Sequence, residues 1–162
     1  MERWVVMGVS GCGKSSVGAM LAQSLGVRFI EGDDYHSPAN VAKMAAGVPL
    51  TDEDRVQWLE ALQAEIRQSV EAGVGIVLSC SSLKKRYRDV LRAGAADLRF
   101  AHLEGSRELI AQRMAARTGH YMPLSLLDDQ LAVLEPLQAD EAGLTLDIRN
   151  EPRELLAAIL KA

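Results

Sequence analysis

Val5-Val6-Met7-Gly8-Val9-Ser10-Gly11-Cys12-Gly13-Lys14-Ser15-Ser16 matches the pattern G-x-x-x-x-G-K-[ST] in full, from Gly8 through Ser15. An apolar run, Trp4 to Met7, precedes it and a segment of helical character follows. That flanking order separates a phosphate-binding loop from a chance glycine-rich turn. Phosphate oxygens need closely spaced backbone N–H donors, and a side chain at the turn would block their approach. Gly8, Gly11 and Gly13 remove that obstruction. The N–H groups of the loop and of the helix opening near Lys14 then converge on a β-phosphate, helped by the helix dipole. Lys14 is placed to bridge β- and γ-phosphates, and the Ser15 hydroxyl to ligate Mg2+. The nucleotide contacts therefore fall to Gly8, Ser10, Gly11, Cys12, Gly13, Lys14, Ser15 and Ser16.

Outward from the loop, apolar runs alternate with helical periods. Strands are expected over residues 3–7, 27–30, 75–80, 98–103 and 144–148. Helices are expected over 14–25, closed by Gly26, and over 38–46, closed by Gly47. Thr51 reads as an N-cap, with Asp54 completing an acidic variant of the capping box. The helix behind it carries Val56, Leu59, Leu62, Ile66 and Val70 at one-face spacing and ends at Gly73. Further helices are expected over 83–92, after Ser106 as a cap, over 125–134 and over 151–160. Residues 75–80 form a continuous apolar run, as in a parallel strand covered on both faces. This alternation predicts an α/β, three-layer fold of the P-loop nucleoside-triphosphate hydrolase type. It has a five-stranded parallel sheet, helices on both faces and a helical lid. A single domain over residues 1–162 is expected, with a substrate-binding insertion at about 34–60 and a lid at about 113–136. The ligand site belongs at the carboxyl ends of the strands.

The bulk numbers exclude several classes. A net charge of −4, with no basic run longer than Lys84-Lys85-Arg86, argues against a general nucleic-acid binder. Two Trp, three Tyr and two Phe are too few for a stacking groove. Cys12 and Cys80 show no metal-ligand spacing and read as free thiols of a reducing compartment. Met1-Glu2-Arg3-Trp4 lacks the apolar core of a signal peptide, and no apolar run approaches membrane length. A cytoplasmic protein without membrane partners is expected.

Two absences narrow the kind of P-loop protein. A GTPase would need Asp-x-x-Gly after the third strand and Asn-Lys-x-Asp for guanine, and neither occurs. A motor or AAA-type ATPase would need a hydrophobic strand ending in an acid, whereas the third strand ends in Ser79-Cys80-Ser81-Ser82. Small-molecule kinases of this class instead place an acceptor site after the second strand and use an arginine-bearing lid. There, Glu31 and Asp33 alternate, so an extended chain would point both to one side. Asp33 is the candidate base or orienting group for an acceptor hydroxyl, and both acids are candidates to hold Mg2+ through water. Arg113 and Arg117 lie four apart on one helix face, placed to neutralise charge that develops in phosphoryl transfer. Lys84 and Arg88 share another helix face. Arg55 sits in a first helical turn, where the dipole disfavours a cation. Together these three read as a cationic wall for a small carboxylate. His36 and His120, in expected loops, are candidate donors to a polyol, and His102 reads as structural.

These residues make the chain resemble gluconokinases of the small P-loop type, in the wider group of shikimate and adenylate kinases. The matching blocks are the Gly8–Ser15 loop, Glu31-Gly32-Asp33-Asp34-Tyr35-His36 and Pro38 through Met44. They continue with Gly47 through Arg55, Trp58-Leu59, Cys80 through Asp89, Leu109 through Arg113 and Arg117 through Pro123. Leu126-Leu127, Gln130 and Leu134-Glu135-Pro136 complete the match, which covers nearly the whole chain. The resemblance implies ATP- and Mg2+-dependent phosphorylation of D-gluconate at its 6-hydroxyl, in a cytosolic homodimer. It implies that Asp33 meets the reacting hydroxyl and that Lys14, Arg113 and Arg117 serve the transferring phosphoryl group. His36, Arg55, Lys84, Arg88, His120 and Gln130 would hold the sugar acid, and Asn150 and Pro152 would flank the adenine. Cys12 stands where serine is frequent and Ser82 where alanine is usual. A kinase of another hydroxy acid, such as shikimate, and a non-catalytic nucleotide-binding module are the competing readings. The missing Gly-Gly-Gly after the third strand counts against shikimate.

Overall fold

The computed structural model describes residues 2–116 and 123–162. Five strands, β1 (Arg3–Met7), β2 (Arg28–Glu31), β3 (Ile76–Ser79), β4 (Arg99–Glu104) and β5 (Gly143–Asp147), form one parallel sheet in the order β2-β3-β1-β4-β5. The strand that feeds the glycine loop lies at the centre because it is apolar along its length. Every residue of β1 and of β3 is buried, which requires cover on both faces. The end strands are more exposed, with one residue buried in β2 and none in β5.

Among the described residues there are seven α-helices: α1 (Lys14–Leu25), α2 (Pro38–Ala45), α3 (Asp52–Glu71), α4 (Lys85–Arg92), α5 (Arg107–Ala116) and α6 (Leu124–Val133) between strands, and α7 (Pro152–Lys161) after β5. Helix α1 packs on β1, β2 and β3 and against α7, while α3 pairs with α4. A Cβ on Gly18 of α1 would lie 2.7 Å from the Phe29 ring of β2, so the helix sits as close to the sheet as a glycine allows. Boundary chemistry follows the sequence. Gly26 adopts the left-handed conformation at the end of α1, and the Thr51–Asp54 capping box is formed in both directions. Ser106 Oγ accepts from the Leu109 N–H at the start of α5.

One amphipathic reading needs correcting. Val56 and Val70 of α3 are exposed. The buried stripe is Arg55, Trp58, Leu59, Leu62, Ile66 and Ser69, which keeps helical spacing but is rotated and admits two polar members. Apolar character alone had pointed to the wrong edge of the stripe. At the amino end of the sheet, Arg3 is buried among Ser69, Val74 and Asp97, with its Nη1 2.8 Å from Asp97 Oδ2. The carboxyl ends of β1, β2 and β3 converge where the connections diverge to opposite sides of β1, as expected for an open parallel sheet.

Candidate active site

A cavity of about 1280 Å³ opens above those strand ends. Its floor is the glycine loop. Gly13, at φ 94°, is the N-cap of α1, and the place its side chain would occupy is open space. The loop is anchored to the segment just past β3 by Gly8 N–H to the Ser81 carbonyl at 3.2 Å. Cys12 turns its side chain into the core, where burial pushes the thiol above its usual pKa despite the opposing influence of Lys14. Its part in the cradle is therefore its backbone. Lys14 and Ser15 line the cavity, with Lys14 Nζ 3.3 Å from the Val9 carbonyl oxygen.

The acids arrive differently from the extended geometry expected. The chain leaves β2 at Glu31 and turns at once into a 3₁₀ helix, Gly32–Tyr35, so Glu31 and Asp33 are not alternating strand residues. Both nevertheless face the cavity. The sharp turn exists because Gly32 has no side chain: a Cβ there would lie 2.2 Å from the Ser79 carbonyl oxygen. The parallel register pairs Glu31 with Ser79. Glu31 accepts a hydrogen bond from Ser79 Oγ at 2.5 Å and another from Ser15 Oγ. A carboxylate is thus set beside Ser15 from β2, although β3 ends in serine. Asp33 is freer, its side chain 62% exposed, with one carboxylate oxygen 4.0 Å from His36 Nε2.

His36 is buried by stacking on Trp58, ring centroids 4.1 Å apart, and it contacts the side chain of Asn40. Burial lowers its pKa, Asp33 opposing and Arg55 reinforcing, so the ring is neutral. Trp58 in turn donates Nε1–H to the Gly32 carbonyl at 2.7 Å, fixing the acid-bearing turn to α3. Arg55 also faces the cavity, 9% exposed, with Nη1 3.0 Å from the Tyr87 hydroxyl.

The cationic wall expected from sequence is only partly built. Arg88 does not reach the cavity. It is completely buried, and its five N–H groups meet both Glu141 oxygens and the carbonyls of Ser82, Glu135 and Pro136. Its face of α4 turns into the protein because Glu141 lies buried there to receive it. Lys84 is also outside the cavity lining and is engaged by Asp52 at 3.0 Å. His102 is buried in β4, as expected of a structural residue.

Over the loop lie α5 and α6. A Cβ on Gly11 would fall 2.6 Å from Met114 Cγ of α5, and Gln130 of α6 accepts the Ser10 N–H at 2.8 Å. Gln130 therefore contacts the glycine loop itself. Arg113 lines the cavity and donates to the Ile148 carbonyl at 2.5 Å. Arg117 and His120 lie outside the described residues. Asn150 and Pro152 do not line the cavity: Asn150 bonds the Asp147 carbonyl, and Pro152 opens α7.

Ser79, Trp58, Tyr87 and Asp52 were not among the residues singled out for a role. Trp58 lies three residues after Arg55 on the same helix face, a spacing that would have flagged it. The Ser79 contact depends on strand register, for which the sequence carries no local sign.

An acid fixed against the loop serine, with a second acid free across the same cavity, suits phosphoryl transfer to a small acceptor and places the chain among the P-loop kinases. A family model described as "AAA domain" matches residues 4–137. A gluconokinase from Gluconobacter oxydans (strain 621H) is 45% identical, over 97% of this chain and 88% of its own. A sugar kinase from Janibacter sp. HTCC2649 superposes with a TM-score of 0.95 at 47% identity, covering 99% of this chain and 93% of its own. A gluconokinase from Sinorhizobium meliloti 1021 gives 0.86 at 45% identity, over 99% and 92%. The chain belongs to the gluconokinase family.

Proposed function

We propose that this protein transfers the γ-phosphoryl group of Mg·ATP to the 6-hydroxyl of D-gluconate, giving 6-phospho-D-gluconate and ADP. The observation that carries the reading is one cavity in which Lys14 and Ser15 share space with Asp33 and Arg55. A phosphate cradle alone would suit a non-catalytic module. The acid and the guanidinium supply what an acceptor needs. Relatives named gluconokinase, at 45% identity over nearly the whole chain, favour gluconate over shikimate.

The residues fit a magnesium nucleotide. The cradle at Gly13 is open, and the oxygen donors Ser15, Glu31 and Asp33 suit a hard cation. Among the described residues no three His, Cys, Asp or Glu side chains cluster as a closed metal cage. Mg2+ is generally held by few protein oxygens together with substrate phosphates. Bound there, Mg2+ supplies charge neutralisation across the transferring phosphates. Lys14, now on the Val9 carbonyl, would hold the nucleotide's terminal phosphates. Arg113 and Arg117 add positive charge from the lid at 113–136, a contribution of about 10³–10⁵ in rate where arginines act this way. Asp33 orients the acceptor hydroxyl and receives its proton. Arg55 binds the carboxylate, and His120 bonds the polyol together with His36, whose ring burial keeps neutral. Gln130 holds the loop at Ser10, and Asn150 and Pro152 flank the adenine. We further propose a homodimer in the cytoplasm, on the strength of the family resemblance.

Substitution separates the roles. Lys14→Ala should lose both turnover and ATP affinity. Asp33→Asn should lose turnover by about 10²-fold or more while binding ATP as the native protein does. Full activity in Asp33→Asn removes Asp33 from the reaction. Light scattering in solution tests the dimer, a monomeric mass excluding it.

A further inference from the structure

Among the described residues, Arg55 has one hydrogen-bond partner, and that partner is neutral. Its Nη1 donates to the Tyr87 hydroxyl at 3.0 Å, and its Cζ lies 5.1 Å from the Tyr87 ring centroid. The Tyr87 hydroxyl donates its own hydrogen bond to Asp52, in the first turn of α3. Asp52 also receives Lys84 Nζ at 3.0 Å and pairs with Arg86. Three cations therefore stand around one tyrosine, and the only carboxylate in the group is spent on the two that do not face the cavity.

A carboxylate placed directly on Arg55 would orient it and cancel its charge. A hydroxyl orients it and leaves the charge in place. Burying a cation without a counter-ion is costly, so a guanidinium held this way at a cavity wall is arranged to receive an anion from the cavity. We propose that Tyr87 and Asp52 are positioning residues that fix the uncancelled Arg55 guanidinium for one carboxylate of the acceptor. The site selects a monocarboxylate because Lys84 and Arg86 are withheld from it. This rests on the reading of Arg55 as the carboxylate-binding residue.

Tyr87→Phe keeps the ring and its packing and removes only the relay. The expected result is a gluconate KM raised about ten-fold, the scale of one hydrogen bond to a charged group, with the ATP KM within about two-fold. Asp52→Ala should shift the gluconate KM in the same direction and offers a second route if Tyr87→Phe folds poorly. Arg55→Ala should raise it about a hundred-fold. In the Arg55→Ala background, Tyr87→Phe should add nothing further, since residues acting through one another are not additive. An unchanged gluconate KM in Arg55→Ala overturns the carboxylate reading itself. A raised KM in Arg55→Ala beside unchanged values in Tyr87→Phe and Asp52→Ala overturns the relay and leaves that reading standing. Equal effects on both substrates, or full additivity in the double variant, overturn it as well, because they mark a merely structural role.

Discussion

At the end of β2 one carboxylate holds two hydroxyls, Ser15 of the loop and Ser79 of β3. Glu31 reaches them because parallel register sets it opposite Ser79, one strand away from where a hydrophobic strand ending in an acid would deliver a carboxylate. Its expected role is to orient water around Mg2+. Groups that act at that distance typically cost 10–100-fold in metal affinity when altered. Glu31→Gln keeps the shape and removes the charge. The half-saturating Mg2+ concentration should therefore rise by about ten-fold, with little change in melting temperature. A metal titration of activity at fixed ATP measures it.

Elements hold these residues in place, and two of them do so at sites where no substitution is neutral. The 3₁₀ turn after β2 passes so close to β3 that Gly32→Ala would drive a Cβ against the Ser79 carbonyl. Backbone cannot yield as a flexible side chain does. We expect a loss of about 1–3 kcal/mol in urea unfolding together with weakened Mg2+ dependence, since Glu31 precedes the turn. Helix α4 is fixed by Arg88. Burial alone would raise the Glu141 pKa, but Arg88, the Gln138 N–H and Arg92 together hold it at about 2, so the pair is ionised. Arg88→Met leaves a buried carboxylate alone and should cost about 3–5 kcal/mol. The gluconate KM of the folded protein should not move, in contrast to the result expected for a substrate contact. From sequence, Lys84 and Arg88 read as one cationic face. What turned that face inward was Glu141, more than fifty residues away, which local spacing cannot reveal.

For the molecule as a whole, the strands, their parallel arrangement and the phosphate loop were legible because each rests on short-range pattern. An apolar run, a glycine loop and a helix cap all act within a dozen residues. The lining of the candidate site was legible where it sits on such motifs, as with Lys14, Ser15 and Asp33, which share one cavity. It was not where it depends on strand register or on a partner far along the chain, as with Ser79, Tyr87 and Asp52. Two histidines give the fold an overall pH response. Burial lowers the pKa of His36 and of His102 below the usual histidine value. The unfolded chain then binds protons that the folded one refuses, so stability is full above about pH 6.5 and falls as the pH drops through the lowered folded values. Melting temperature should decline from about pH 6.5 downward, and His102→Gln should remove part of that slope. The Glu141 contribution has the same sign further down, present above the usual carboxylate range and lost as pH falls through about 2.

The central claim is the transfer of phosphate to gluconate, and a coupled ADP-release assay with Mg·ATP tests it most directly. Gluconate, shikimate, glycerate and ribose would be compared as acceptors at equal concentration. Asp33 and Arg55 across one cavity, with relatives named gluconokinase, predict strong turnover with gluconate and little with the other three. Turnover with another acceptor and not gluconate, or none with any of the four, would contradict it.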